Sequence, residues 1–208
     1  MKEQPVFFSS PGGRLEGLLG LVPGDGGVVI THPHPLYGGD MHNTVVAALT
    51  QAYQRAGYTT LRFNFRGVGR SPGDYDEGRG EQQDVRSALE CLSASGKTAL
   101  TLAGYSFGAW VNALTAPPED AVEQIIMVSP PVALLDFAPV GPVPQLQLVI
   151  TGERDHFAPP DLLESLLPRW NPLARLEIIP GTDHFYSGGL DRLAAVLAAY
   201  LAAARREQ

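Results

Sequence analysis

The sequence predicts an α/β fold: a mostly parallel sheet with helices packed on both faces. Three observations carry that prediction. Short β-branched runs alternate with longer helix-compatible segments along most of the chain. Several runs are apolar throughout rather than alternating, as in Gly27-Val28-Val29-Ile30-Thr31, which is how a strand covered on both faces reads. Glycine and proline, 23 and 18 of 208 residues, fall between the runs, so the connections are short and sharply set.

Taken in order, residues 6–10 and 15–22 flank Pro11-Gly12-Gly13 and read as an N-terminal hairpin. Residues 27–31 are the next strand. Asn43 is placed to cap a helix running to about Arg55, with Gly57 as its stop. Residues 59–65 form a strand, and a Gly-rich loop over 67–80 leads into a helix over about 81–93. Strand 98–103 runs directly into Gly104-Tyr105-Ser106-Phe107-Gly108 and a helix ending near Thr115. Residues 124–129 and 146–151 are strands, 161–167 a short helix, 175–179 the last strand and 190–205 the last helix. On such sheets, ligands sit at the carboxyl ends of the strands.

The bulk numbers exclude several function classes. A length of 208 residues suits one buried core and is short for two, so one domain over 1–208 is expected. Hydrophobic residues at 44% and charged residues at 18% are ordinary for a globular chain. A formal charge of −7 opposes binding to nucleic acid and to anionic membranes. One cysteine, Cys91, rules out an internal disulfide and a Cys-rich zinc site. It reads as a small buried apolar residue. No apolar h-region follows Met1-Lys2-Glu3-Gln4-Pro5, and the apolar stretch over 193–204 is well short of the roughly 20 residues of a membrane span. The expectation is a soluble cytoplasmic protein without membrane or nucleic-acid partners; the oligomeric state is left open.

The segment that carries chemistry is Gly104-Tyr105-Ser106-Phe107-Gly108. A β-run feeds it and a helix leaves it, the context in which a Gly-x-Ser-x-Gly turn lifts a serine above a sheet. The flanking glycines let strand and helix approach, and the helix N-terminus favours negative charge beside the hydroxyl. A serine needs a base to take its proton. Asp155 follows the strand ending near Thr151, and His184 follows the strand ending near Ile179. Asp155 is therefore read as the orienting acid and His184 as the general base. Glu153 and Asp183 are the rival acids; Asp183 adjoins His184, which should turn its side chain away from the ring.

An oxyanion hole takes two backbone N–H donors. Phe107, after the nucleophile, is one candidate. The other is sought in the loop over 31–39, where Pro33 and Pro35 have no N–H. His34 is preferred and Leu36 is second. His32, His34 and His42 with Asp40 do not have the spacing of a zinc helix, so no metal and no cofactor are expected. Arg66-Gly67-Val68-Gly69-Arg70-Ser71 lacks the Lys-Ser/Thr of a phosphate loop. A structural pairing of Arg66 with Asp84 is expected instead.

These residues resemble the α/β-hydrolase superfamily over nearly the whole chain. The resemblance rests on the motif at 104–108, the His-Pro loop at 32–39, the Arg66–Ser71 segment, Gly80-Glu81 with Asp84, and Gly181-Thr182-Asp183-His184, all in the expected order. Within the superfamily the chain looks most like the small lidless bacterial group related to dienelactone hydrolases. That resemblance implies a Ser106–Asp155–His184 triad and a sheet of about eight strands. Dienelactone hydrolases carry Cys at the nucleophile position, so the serine here argues against dienelactone as substrate. The stretch over 129–145, rich in proline, is too short for a helical cap. The expected function is hydrolysis of small carboxylic esters or thioesters through an acyl-enzyme on Ser106. A peptidase or amidase, or a catalytically silent binding protein, is the alternative. Tyr37, Phe107, Phe157, Phe185 and Tyr186 are candidates to line the pocket.

Overall fold

The structure, a computed structural model, describes residues 2–115 and 121–204. Among these, eight strands form one sheet: β1 (Gln4–Ser10), β2 (Gly13–Gly20), β3 (Gly26–Thr31), β4 (Thr59–Phe63), β5 (Ala99–Tyr105), β6 (Gln124–Val128), β7 (Leu146–Gly152) and β8 (Arg175–Ile179). Their order across the sheet is β1-β2-β4-β3-β5-β6-β7-β8. β1 and β2 are an antiparallel hairpin that joins β4 antiparallel; β3 to β8 pair in parallel. The helices are α1 (Thr44–Arg55), α2 (Arg79–Ala94), α3 (Phe107–Thr115), α4 (Pro160–Trp170) and α5 (Leu190–Ala204). Arg205, expected in the last helix, lies outside the described residues.

The uninterrupted apolar runs have the predicted physical origin. In β3, Val29 packs into a core shared with α2, α3 and α4, whereas Val28 and Ile30 pack into a second core with α1 and α5. Successive side chains point to opposite faces, so a strand covered on both faces must be apolar at every position.

Element ends differ from expectation where side chains capture the backbone. β2 stops at Gly20, and the Val22 N–H bonds the Thr59 hydroxyl at 3.1 Å. β4 stops at Phe63, because the Asn64 N–H bonds Glu16 O and the Phe65 N–H bonds His32 Nε2 at 3.0 Å. α2 begins at Arg79, two residues early, because the buried Glu81 carboxylate reaches back to the N–H groups of Asp76 and Gly78 at 2.8 and 2.9 Å. α4 runs past Pro168 to Trp170, whose buried ring packs on Phe137 at a centroid distance of 5.4 Å. Burial of that ring carries the helix beyond the N–H that Pro168 lacks.

Arg66 and Asp84 pair as expected. Asp84 is fully buried and accepts four hydrogen bonds: Arg66 Nε at 3.0 Å, Arg66 Nη2 at 2.9 Å, the Arg66 backbone N–H at 3.1 Å and the Ser10 hydroxyl at 2.8 Å. One carboxylate thus ties the hairpin and the loop after β4 to α2. The bond to Asp84 holds the guanidinium further into its charged state. A β-carbon on Gly80 would collide with that guanidinium. His32 has a comparable role under the other end of the loop. Its Nδ1–H donates to Pro33 O at 2.6 Å, which leaves Nε2 to accept from Phe65. Burial lowers the pKa of this ring to about 4.

Two predictions follow from these pairings. Replacing Asp84 with Asn takes the anion from the half-buried Arg66 and the charge-assisted acceptor from the Arg66 and Ser10 donors, a loss of about 2–3 kcal/mol. Urea unfolding should show a correspondingly lower midpoint for Asp84→Asn; a midpoint near wild type would contradict the clamp. His32 is neutral in the folded chain, while in the unfolded chain it takes a proton below about pH 6.5. Its contribution is therefore complete above that value and is lost as pH falls towards 4, about 3 kcal/mol in all. Urea titrations at pH 7.5 and 4.5 measure the loss, and imidazole ¹⁵N shifts should show His32 still neutral at pH 5.

Candidate active site

Ser106 is the single residue between β5 and α3, and it takes a left-handed conformation with φ +55°. The flanking glycines are required by contact distance. A β-carbon on Gly104 would lie 2.6 Å from the Ala109 nitrogen, and one on Gly108 would lie 2.7 Å from the Thr31 carbonyl oxygen. The Ser106 N–H is anchored to Val128 O on β6 at 2.9 Å. The hydroxyl then stands at the carboxyl edge of the sheet, beside the first turn of α3.

The Ser106 hydroxyl donates to His184 Nε2 at 3.0 Å, and His184 Nδ1–H donates to both oxygens of Asp155 at 2.9 Å. The carboxylate can only accept, so it fixes the proton on Nδ1 and leaves Nε2 free to receive one. Asp155 Oδ1 also accepts from the N–H groups of Phe157 at 3.0 Å and Ala158 at 2.8 Å. Burial pushes the Asp155 pKa up, but the bonds from His184 and its other partners outweigh it, and the net shift is downward. The two carrier loops are locked side by side: the Arg154 N–H bonds Thr182 O at 2.9 Å, and a β-carbon on Gly152 would collide with that same carbonyl.

The rival acids are engaged elsewhere. Glu153 accepts from the Gly181 N–H at 2.7 Å, and Asp183 accepts from the Ser187 N–H at 3.1 Å. Both shape the turn that carries His184 without touching its ring.

The Phe107 N–H is the first of α3, a position without an intrahelical acceptor. Gly108 brings α3 against the end of β3, and the His34 ring lies 4.9 Å from the Phe107 ring. The second candidate, Leu36, has its N–H taken by His34 Nδ1 at 3.2 Å. His34 is the candidate that remains on this loop. Its ring also contacts Tyr37 and Tyr75, and burial lowers its pKa.

A cleft of about 490 Å³ opens over Ser106 and His184. The 32–40 loop, the 129–145 segment and the loop carrying His184 all border it. No helix forms within 129–145. Tyr37, Phe107, Phe157 and Phe185 line it as expected, but Tyr186 does not. Tyr186 is buried, and its hydroxyl lies 2.9 Å from Ser129 Oγ. Both residues are left-handed, with φ +57° and +47°.

Sequence reasoning missed Tyr105, whose buried hydroxyl donates to the His184 carbonyl at 2.8 Å. The only available signal was its place beside the serine, which says nothing about where its ring goes. It also missed Asn43 as a wall residue, while Pro131, Leu134 and Leu135 line the cleft from the 129–145 segment expected to border it. Among the described residues, no group of three or more His, Cys, Asp or Glu side chains is arranged to hold a metal ion. Cys91 is half-buried in α2, and burial pushes its thiol pKa up. No helix among the described residues is long and apolar enough to cross a membrane.

Comparison with known proteins agrees with this geometry. The model of the alpha/beta hydrolase family matches residues 21–207. An uncharacterized protein of Rickettsia prowazekii is 33% identical, over 94% of this chain and 87% of its own length. The solved structure of an alpha-beta serine hydrolase homologue from Coxiella burnetii is 33% identical, with a TM-score of 0.88 over 97% of this chain and 98% of that one. A serine hydrolase without a lid from Xanthomonas campestris is also 33% identical, with a TM-score of 0.85 over 95% and 92% of the two chains. Matched in sequence over most of its length and in fold over nearly all of it, the chain belongs to the alpha/beta hydrolase family and is a hydrolase.

Proposed function

We propose that Ser106, His184 and Asp155 are the catalytic triad of a hydrolase acting on small carboxylic esters or thioesters. The observation that carries the reading is the unbroken hydrogen-bond chain from the Ser106 hydroxyl through His184 to the buried Asp155 carboxylate. Ser106 Oγ forms a bond to the substrate carbonyl carbon while its proton passes to His184 Nε2. The carbonyl electron pair moves onto oxygen, where the N–H groups of Phe107 and His34 hold the developing charge. Collapse re-forms the carbonyl and breaks the bond to the alcohol or thiol, which leaves with the proton from His184. Water then gives a proton to His184, attacks the acyl-enzyme and releases the acid and Ser106. Throughout, Asp155 keeps the ring in one tautomer and stabilises the imidazolium.

Tyr105 acts as a positioning residue. Its hydroxyl fixes the His184 carbonyl from β5, the strand that also presents the serine. Nucleophile and base are thereby referenced to one rigid element.

Ser106→Ala should abolish covalent labelling by a fluorophosphonate and lower kcat by about 10⁴–10⁶. Asp155→Asn should cost on the order of 10⁴, and Asp183→Asn far less. Residual activity near wild type in the alanine variant, or the reverse ranking of the two Asp variants, would overturn the assignment. Tyr105→Phe should lower kcat by roughly tenfold with KM little changed, because the ring stays in place while the base loosens. The low-field ¹H resonance of His184 Nδ1–H should shift or broaden in that variant. An unchanged resonance with unchanged kcat would exclude the positioning role.

A further inference from the structure

We infer that the cleft selects electrically neutral, apolar esters and rejects substrates with a negative charge on either side of the scissile bond. The inference rests on the reading of Ser106 as nucleophile and goes beyond it by fixing the chemistry of the substrate. Among the described residues, no Lys, Arg, Asp or Glu side chain contributes to the wall of the cleft. The polar side chains that line it carry no fixed charge. Tyr105 gives its hydroxyl proton to His184 O, and Asn43 accepts from the Val45 N–H as the cap of α1. His34 accepts from the Leu36 N–H, and burial disfavours its charged form.

The rim repeats the pattern. Tyr37, Leu134 and Phe185 are large side chains more than half exposed, and they stand on three separate loops around one opening. All three also line the cleft. Exposed apolar groups gathered at one place mark a surface that is covered in function. Here the group that covers them is the apolar part of the substrate.

An anion entering this space meets no Lys or Arg among the described residues of its wall. Arg66 is bound to Asp84 by two side-chain hydrogen bonds, and Arg70 lies over the Phe7 ring. The Asp155 carboxylate, bonded to His184, stands behind the cleft and repels a second negative group. A carboxylate or phosphate must therefore lose water without gaining a partner. The Phe107 and His34 N–H groups are the donors meant for the oxyanion, and a substrate carboxylate held there would displace the ester carbonyl.

The test compares matched pairs that differ in charge at one site. On the acyl side the pair is methyl 4-nitrophenyl adipate and mono-4-nitrophenyl adipate. On the leaving side it is methyl 4-butyryloxybenzoate and 4-butyryloxybenzoate. Each rate is divided by the alkaline hydrolysis rate of the same compound, which removes intrinsic reactivity. The neutral member of each pair should have a kcat/KM at least about 100-fold higher, as expected for desolvating an unpaired charge. Leu134→Arg, which puts a cation on the rim, should narrow the gap by roughly tenfold. Anionic members turned over within about threefold of their neutral partners would overturn the inference while leaving the hydrolase reading intact. A gap unchanged in Leu134→Arg would also overturn it, since the discrimination would not come from the charge of the cleft. If neither member of either pair is hydrolysed and Ser106 is not labelled, the nucleophile assignment fails and this inference falls with it.

Discussion

Strand β5 has one residue, Ser106, in which to become helix α3. That constraint sets most of what surrounds it. A non-glycine residue in the left-handed region costs on the order of 1 kcal/mol or more, so neighbours must hold it there. The Ser106 N–H is bonded to β6, and the helix packs so closely that neither Gly104 nor Gly108 has room for a β-carbon. Gly108 lies against Thr31, so α3 is seated on the end of β3 and the His-Pro loop that follows is brought over Phe107. One tight turn therefore places the serine, the first N–H of a helix and the loop carrying His34 within one neighbourhood.

Asp155 and His184 lie on the loops after the two strands at the far edge of the sheet, where order is harder to maintain. β8 is the edge strand, and the loop over 180–189 is long enough to wander. It is held from three directions. Glu153 and the Arg154 N–H fasten the first turn of the loop to the loop after β7. Tyr105 reaches from β5 to the His184 carbonyl, and Ser129 reaches from the end of β6 to the Tyr186 hydroxyl. The Tyr105 and Ser129 bonds are buried, where a hydrogen bond is stronger and its loss costs more. Rotation of the His184 ring is thus resisted by the backbone on either side of it as well as by Asp155.

How much of this could be read in the sequence depended on whether the signal was local. The apolar runs of β3, β5 and β6 announce strands covered on both faces without any knowledge of partners. Gly104 to Gly108 announces its turn because steric need and chemistry fall on neighbouring residues. Asp155 and His184 were legible from fold order, each just past a strand end. The missed features all depend on side-chain direction. Tyr186 sits two residues from His184 yet turns inward, because φ +57° at that position reverses the chain. Tyr105 gives no hint that its hydroxyl reaches a carbonyl 79 residues away. Glu81 looks like a surface helix residue, but it is buried with both oxygens on backbone N–H groups, and so α2 starts earlier than its apolar pattern suggests.

The placement of charge joins fold to site. Asp84 and Glu81 are fully buried, and each is satisfied by donors that belong to the scaffold. Neither faces the cleft. Asp155 is buried too, but its ring partner stands between it and the cleft. A buried charge with complete hydrogen bonding is rigid and directional, whereas an unpaired one in the cleft would attract water and weaken every polar contact there. With ionised groups kept behind its walls, the cleft is a low-dielectric space in which the two proposed backbone N–H donors would act on a developing oxyanion with little competition. The same arrangement that strengthens the oxyanion contacts makes a permanently charged substrate costly to admit. In the proposed mechanism, selectivity for neutral esters follows from how the site would stabilise its transition state, and no separate recognition element is required for it.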